Sequence, residues 1–592
     1  MPKKIIRLAA QAAVALLLAG TSSASAADIY MGAPVDVATL PNGVQMNRSQ
    51  LSGSLGVGAR QTLAVAPNVW AFLGYSIVNV YVIQGRTGLI IYDTGATAAE
   101  GRTILAEIRK LSPLPIHTII YSHKHYSAGA GVLAEGRPVV VIGNPSDAGP
   151  RAAEIVGGPY PELLPLQLTR GLEQMGHFLP KEGPDGSAGE RIERPLPGRD
   201  ADKVPDRLPI THAARDGEEM TIDGVKVQFF TANASDAPSL TAWLPDRKIV
   251  LNNFYWPVAA NLYAPRGEIF RDAQSWIGGL KVIRDLKPEV MLSTHAAPVM
   301  GRDVIQRALQ HYIDFHAMIL DQTLRGMLKG LGPEDLRHFV QAPAEFNDIT
   351  ENYGETLSWY PPSIYNYAFG WFSGDAADLN PVSPDFRSRE LVRLLGGPGA
   401  VLKAAKAAEG RGQWAWALEL TNHLVRAAPD NAQARRAKAA LLRKHAELTP
   451  ASIAHNFYMS QALALEGKIK LPTRAFDPAA LARTPSCQLI DAFRVRLVPE
   501  RSSVSAGLLA FKVADAQTCG LAVRPGVAEF LPDLGRAETP PLATLALSKA
   551  DVVRLYRGDV GLPDLVRDQA IGVEGDRAAA ARIAAAFETL AP

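Results

Sequence analysis

Apolar positions in this chain follow two spacings. Between about residues 78 and 300 they form short runs broken by turn residues, whereas from about 302 to 470 they recur at helical spacing. Val78 to Ile83 and Leu89 to Tyr92 predict two strands joined by Gly85-Arg86-Thr87-Gly88, and Asp93-Thr94-Gly95 ends the second. Ile104, Leu105, Ile108 and Leu111 share one face of a predicted helix, and Thr118 to Tyr121 then predicts a buried strand. Pro138 to Ile142, Val225 to Phe230, Lys248 to Asn253 and Glu289 to Ser293 predict further strands. A helix over 272–286 precedes the last of these, and Thr294-His295 follows it at once. Such alternation implies an α/β layer whose loops at strand ends hold the chemistry. Residues 28–75 show no strong periodicity, and 145–215, rich in Pro, Gly and charge, read as an insertion over one face.

In the helical stretch Trp414, Ala417, Leu418, Leu424 and Val425 repeat before a break at Ala428-Pro429-Asp430-Asn431. This is the pattern of one tetratricopeptide-like helix pair or of a plain helical bundle. Beyond about 475, Phe493, Val495 and Leu497 alternate with Arg494 and Arg496 as a half-buried strand would. Thr544 to Leu547 predicts another strand, and Ser548 with Asp551 a capping box that opens a helix. A small α+β domain fits this last part.

The 592 residues suffice for three or four domains, and a formal net charge of +2 gives no electrostatic reason to expect nucleic acid as a partner. Lys3, Lys4 and Arg7, the apolar run from Leu8 to Gly20 and Ala24-Ser25-Ala26 predict a secretory signal over residues 1–27. The expected location is therefore across the inner membrane, in the periplasm. Cys487 and Cys519 are the two cysteines, and spacing alone leaves open a disulfide or two buried thiols.

The strand ending at Tyr121 delivers His123 and His125 into a tight turn, with Gly129 and Gly131 where a helix would begin. Such a turn aims two imidazoles at one metal ion, and a catalytic zinc takes three protein ligands with one position left for water. His295, at another strand end, is either a further ligand or a satisfied structural histidine.

The stretch Ser122-His123-Lys124-His125-Tyr126-Ser127-Ala128-Gly129 resembles the metallo-β-lactamase signature His-x-His-x-Asp-His, with Ser127 in place of Asp and Ala128 in place of His. Three further motifs narrow the resemblance to the alkyl sulfatases of that superfamily: Asn261-Leu262-Tyr263-Ala264-Pro265-Arg266-Gly267 with Arg271-Asp272, the aromatic run around Tyr365, and Asn422-His423-Leu424-Val425. The resemblance implies a metallo-β-lactamase αββα sandwich over 28–325, a helical dimerisation domain over 326–470 and a sterol-carrier-like α+β domain over 471–592. It also implies a homodimer acting on amphiphilic sulfate esters.

The family holds two zinc ions with the histidine turn, two glutamates and a late histidine. Here the implied ligands are His123, His125, Asp236 and His295, while Asn253 replaces the bridging glutamate. A neutral amide is a poor ligand for a dication, so the expectation is at most one zinc per chain. Asn261, Arg266, Arg271 and Tyr365 carry over as substrate-binding residues, the guanidinium planes suiting a tetrahedral oxyanion. Surface ion pairs for the arginines, a core role for Tyr365 and a solvated loop for Asp236 are the alternatives. Three functions follow: a periplasmic hydrolase of alkyl sulfate esters on one zinc, a non-catalytic homologue that binds sulfate esters after losing the dizinc centre, or a structural dimer with no small-molecule role.

Overall fold

The computed structural model describes residues 28–30, 33–51, 60–148, 160–187, 207–232, 238–254, 256–260, 262–263, 265–267, 270–349, 357–514, 517–537, 539–568 and 571–590. The expected signal segment, Asp236 and Asn261 lie outside the described residues.

Two sheets face each other. The first has seven strands in the order His212–Ala213, Val140–Gly143, Ile116–Ile120, Leu89–Tyr92, Val80–Gln84, Val69–Leu73 and Gln61–Ala66. The second has six, from Glu219–Ile222 through Val225–Phe230, Thr241–Leu244, Ile249–Asn252 and Val290–Ser293 to Val299–Met300. Tyr81, Ile83, Ile90 and Tyr92 of the first sheet pack against Val227, Phe229, Ala242 and Leu251 of the second to form the inner core. On the first sheet's outer face lies the helix Ala98–Leu111, capped by the Thr97 side chain, with Ile104 and Ile108 buried. The second sheet's outer face is covered by Ala273–Asp285 and Arg302–Leu328, around the fully buried Trp276. This is the expected αββα sandwich.

Parallel pairing sets the site. Ile116–Ile120 lies between Leu89–Tyr92 and Val140–Gly143, parallel to both, and Ile249–Asn252 runs parallel to Val290–Ser293. Parallel neighbours end at the same edge, so Asp93, Ser122, Asn253 and Thr294 gather at one rim, where α/β folds bind ligands.

Two sequence expectations change here. The stretch before residue 75, in which no strand is predicted for want of strong periodicity, supplies Gln61–Ala66 and Val69–Leu73. The first is a largely exposed edge strand built around Ala64 and Ala66, so its alternation is faint in the sequence. The strand expected from Val78 begins at Val80, because Ile77 and Val78 pack under Tyr126 instead of joining the ladder.

Among the helices that follow, Trp414–Ala427 and Ala432–Leu448 form the expected helix-turn-helix, with the Asn431 side chain accepting the N–H groups of Gln433 and Ala434. Ser452–Leu465 packs on the second of them. The C-terminal part is a five-stranded sheet in the order Val527–Leu531, Cys519–Arg524, Gly507–Val513, Ala543–Leu547 and Gly572–Gly575, sharing one core with the surrounding helices. The Ser548–Asp551 capping box is present, and Cys487 pairs with Cys519. The strand expected over Phe493–Leu497 is instead a 3-10 helix, Ala492–Arg496. Arg496 turns inward, its guanidinium donating to the carbonyls of Leu555 (2.9 Å) and Tyr556, while Val495 is exposed. A buried arginine with backbone acceptors breaks the two-residue alternation that its charge suggested.

Candidate active site at the histidine turn

Backbone and hydroxyl groups set the shape of the turn. The Ser122 N–H donates to Asp93 Oδ1 at 2.8 Å, and the extended His123 leads into a single 3-10 turn, Lys124–Tyr126. The Thr94 hydroxyl donates to the Tyr126 carbonyl at 2.9 Å and accepts the Gly129 N–H at 3.2 Å. A Cβ on Gly129 would come within 2.2 Å of the Thr94 carbonyl oxygen, so only glycine fits there. Gly129 in turn begins the short helix Ala130–Leu133, as the sequence implied.

The two histidines converge. His123 Nε2 and His125 Nδ1 lie 3.1 Å apart, while His123 Nδ1 faces Ser122 Oγ at 3.3 Å and Asn253 Nδ2 at 3.4 Å. His123 and His295 both pack edge-to-face on the Tyr126 ring, at centroid distances of 4.3 and 5.1 Å. The separation of the two histidines therefore cannot exceed the sum of those distances, and His295 belongs to the same cluster. Its turn is held from the opposite sheet. Asn79 Nδ2 donates to the carbonyls of Ser293 (3.2 Å) and Ala296 (2.7 Å), and the Tyr81 hydroxyl donates to Ser293 at 2.6 Å.

Asp93 joins the two histidine turns. Besides Ser122, its carboxylate accepts the Thr294 hydroxyl at 2.9 Å, and its backbone is left-handed at φ 62°. Burial raises its carboxyl to about 7, the bonds from Ser122 and Thr294 pulling the other way. Sequence reasoning assigned it no role, although a strand-end Asp-Thr-Gly was the available signal. Asp147 was also missed. Burial pushes its carboxyl up, opposed by Lys124, Arg207 and His125.

As donors for a metal, the two converging nitrogens suit one ion, since imidazoles sharing a zinc each sit about 2 Å from it. The positions where the family signature has further ligands offer weaker donors here. The Ser127 hydroxyl donates to the Lys124 carbonyl at 2.7 Å, Ala128 has no donor, and Asn253 is a buried neutral amide. No cluster of three His, Cys, Asp or Glu side chains able to hold a metal occurs among the described residues.

The arginine loop lies against the insertion helix Leu164–Gln174. Arg266 N–H donates to Gln174 Oε1 at 3.4 Å, and Arg271 N–H closes the loop on the Leu262 carbonyl at 2.9 Å. Both arginines are buried, at 8% and 9% exposure. Gly267, at φ 89°, makes the reversal between them. Tyr365 donates its hydroxyl to the Phe372 carbonyl at 2.7 Å from a buried position on the helix Tyr360–Phe369, as the core alternative expects.

Residues 73–217 match the metallo-beta-lactamase superfamily model and residues 333–468 the alkyl sulfatase dimerisation model. A linear primary-alkylsulfatase from a Pseudomonas species is 31% identical over 76% of this chain and 88% of its own length. An (R)-specific secondary-alkylsulfatase from Pseudomonas is 26% identical over 91% of this chain and 82% of its own length. The solved structure of a stereoselective inverting sec-alkylsulfatase from Pseudomonas superposes with a TM-score of 0.72 at 23% identity, covering 95% of this chain and 91% of that one. Sequence, domain models and fold agree: the chain belongs to the alkyl sulfatase family of the metallo-β-lactamase superfamily.

Proposed function

We propose that this protein hydrolyses sulfuric esters of alkyl alcohols in the periplasm, as a homodimer with at most one zinc ion per chain. The observation that carries this reading is the convergence of His123 Nε2 and His125 Nδ1 at the strand-end rim, 3.1 Å apart, in a chain related to alkylsulfatases. His123 and His125 would hold the ion, with Asp236 and His295 as the remaining candidate donors. When bound, zinc would supply Lewis acidity and lower the pKa of a water. Arg266 and Arg271 would hold the sulfate and neutralise the charge that grows on it as the leaving group. Asp93 and Thr94 would keep the histidine turn in place through the bonds described above.

Export is supported by the basic and apolar leader of the sequence and by the Cys487–Cys519 disulfide, which suits an oxidising compartment. The homodimer is supported by the dimerisation-model match and by Phe369, Trp371 and Leu394, each more than two-thirds exposed. We place the domains at 28–325, 326–470 and 471–592, the last sterol-carrier-like. The helix Arg302–Leu328 carries across the first of these boundaries.

A non-catalytic homologue that binds sulfate esters is the second reading, favoured by the neutral Ser127, Ala128 and Asn253. Elemental analysis of the purified protein, combined with sulfate release from dodecyl sulfate, separates the two. Hydrolysis predicts up to one zinc per chain and sulfate release that His123→Ala abolishes. Two tightly bound zinc ions would contradict the one-ion centre, and tight binding without sulfate release from zinc-loaded protein would leave the binding homologue. Arg271→Ala is expected to weaken binding of a long-chain alkyl sulfate by about 1.5–3 kcal/mol, the range for a hydrogen bond to a charged group. Unchanged affinity in calorimetry would remove the arginine loop from the site.

A further inference from the structure

The helical domain contains a cavity of about 500 Å³ with no part in the site above, between the helices Trp414–Ala427, Ala432–Leu448 and Ser452–Leu465. Its lining is largely apolar, with Trp359, Leu418, Leu442, Phe457 and Tyr458, yet it includes the half-buried Lys438. The Lys438 ammonium donates to the neutral Asn422 Oδ1 at 2.8 Å, and no ion pair offsets its charge among the described residues. Burial and the neighbouring Arg426 guanidinium hold it below the usual lysine range. Glu419, also on the lining, has its carboxylate 3.9 Å from His423. An uncompensated cation in an apolar cleft favours an anion that brings apolar surface with it.

A second cavity, of about 730 Å³, shares Trp359, Ala454, Phe457 and Tyr458 as a common wall and reaches Tyr263 and Phe270 on the arginine loop. A chain that starts at Lys438 thus has an aromatic surface to follow toward Tyr263 and Phe270.

We propose that the helical-domain cavity is a second binding site for an anionic amphiphile, with the headgroup on Lys438 and Asn422 and the alkyl chain along the Trp359, Phe457 and Tyr458 wall. Each chain then holds two amphiphiles, one at the arginine loop and one here. The second site rests on the proposed function for the choice of probe and for the count of two.

Titration calorimetry of the full-length mature protein, below micellar concentrations, tests this with dodecane-1-sulfonate, which has no ester bond to cleave. Wild type is expected to bind two equivalents. Lys438→Met should weaken one site roughly ten- to a hundredfold, the equivalent of losing a charged hydrogen bond, while Lys438→Arg retains it. Leu442→Trp, which fills the cavity without touching a charge, should remove the same site. Dodecanoate should compete for it and dodecanol should not, since the ammonium recognises the charge. One equivalent that Arg271→Ala removes and Lys438→Met leaves intact would overturn the second site and keep the proposed function. One equivalent with the opposite sensitivity would keep the second site and count against sulfate binding at the arginine loop. Equal binding of dodecanol would overturn the headgroup assignment.

Discussion

Asp93→Ala is expected to destabilise the sandwich domain by about 3 kcal/mol and to abolish any zinc affinity at His123 and His125. The fully buried carboxylate accepts the Ser122 N–H and the Thr294 hydroxyl; the alanine variant leaves the Ser122 N–H unpaired, at a cost of about 1–3 kcal/mol. Alanine at φ 62° adds roughly 1 kcal/mol of backbone strain. Asp93→Asn should retain most of the stability. Asparagine tolerates the left-handed backbone and its Oδ1 still accepts from Ser122. The Thr294 hydroxyl can donate to the Asn252 carbonyl, 3.0 Å away, while accepting from the new amide. Chemical denaturation followed by tryptophan fluorescence, with zinc titrated separately, measures both effects. Equal stability of the alanine and asparagine variants would mean that the carboxylate does not join the two turns.

Replacing both Cys487 and Cys519 by serine should destabilise the C-terminal domain by about 3.5 kcal/mol. The bond closes a loop of 32 residues in sequence, and restricting so long a segment in the unfolded chain is worth about that much. It ties the helix Ser486–Asp491 to the strand Cys519–Arg524 across the core, where Cys519 is fully buried. A chain of several domains need not unfold in one step. The effect is therefore best read by hydrogen exchange resolved to residues 507–547. Unaltered protection in that sheet would show that packing alone holds the domain.

The features legible in the sequence are those whose cause is local. The strand before His123 is four apolar-rich residues with glycines beyond the turn, Asp272 caps its helix three residues before Ser275, and Asn431 marks a helix start after Pro429. What escaped depends on partners distant in sequence. Asp93 reads as an ordinary strand-end carboxylate until Thr294, 201 residues away, is brought to it. Tyr126 is merely the variable position of the histidine signature until His295 packs on its ring. Arg494 and Arg496 look alike in sequence. Arg494 finds Glu162 of the insertion, whereas Arg496 finds the end of the helix Lys549–Arg557, and that difference turns an expected strand into a 3-10 helix. Tyr365 was ambiguous for the same reason, since its acceptor is a loop carbonyl that no spacing rule identifies.

Thr94, Asp93 and Gly129 hold the histidine turn by bonds that involve no metal, so the architecture of the turn is decoupled from its cargo. Ligand side chains on such a frame are free to drift. Exchange of an acidic or imidazole ligand for Ser127 or Ala128 leaves every one of those bonds in place, and a lineage can pass through it without an intermediate that misfolds. Ser127→Asp with Ala128→His would write the full signature back without replacing any residue that makes those bonds.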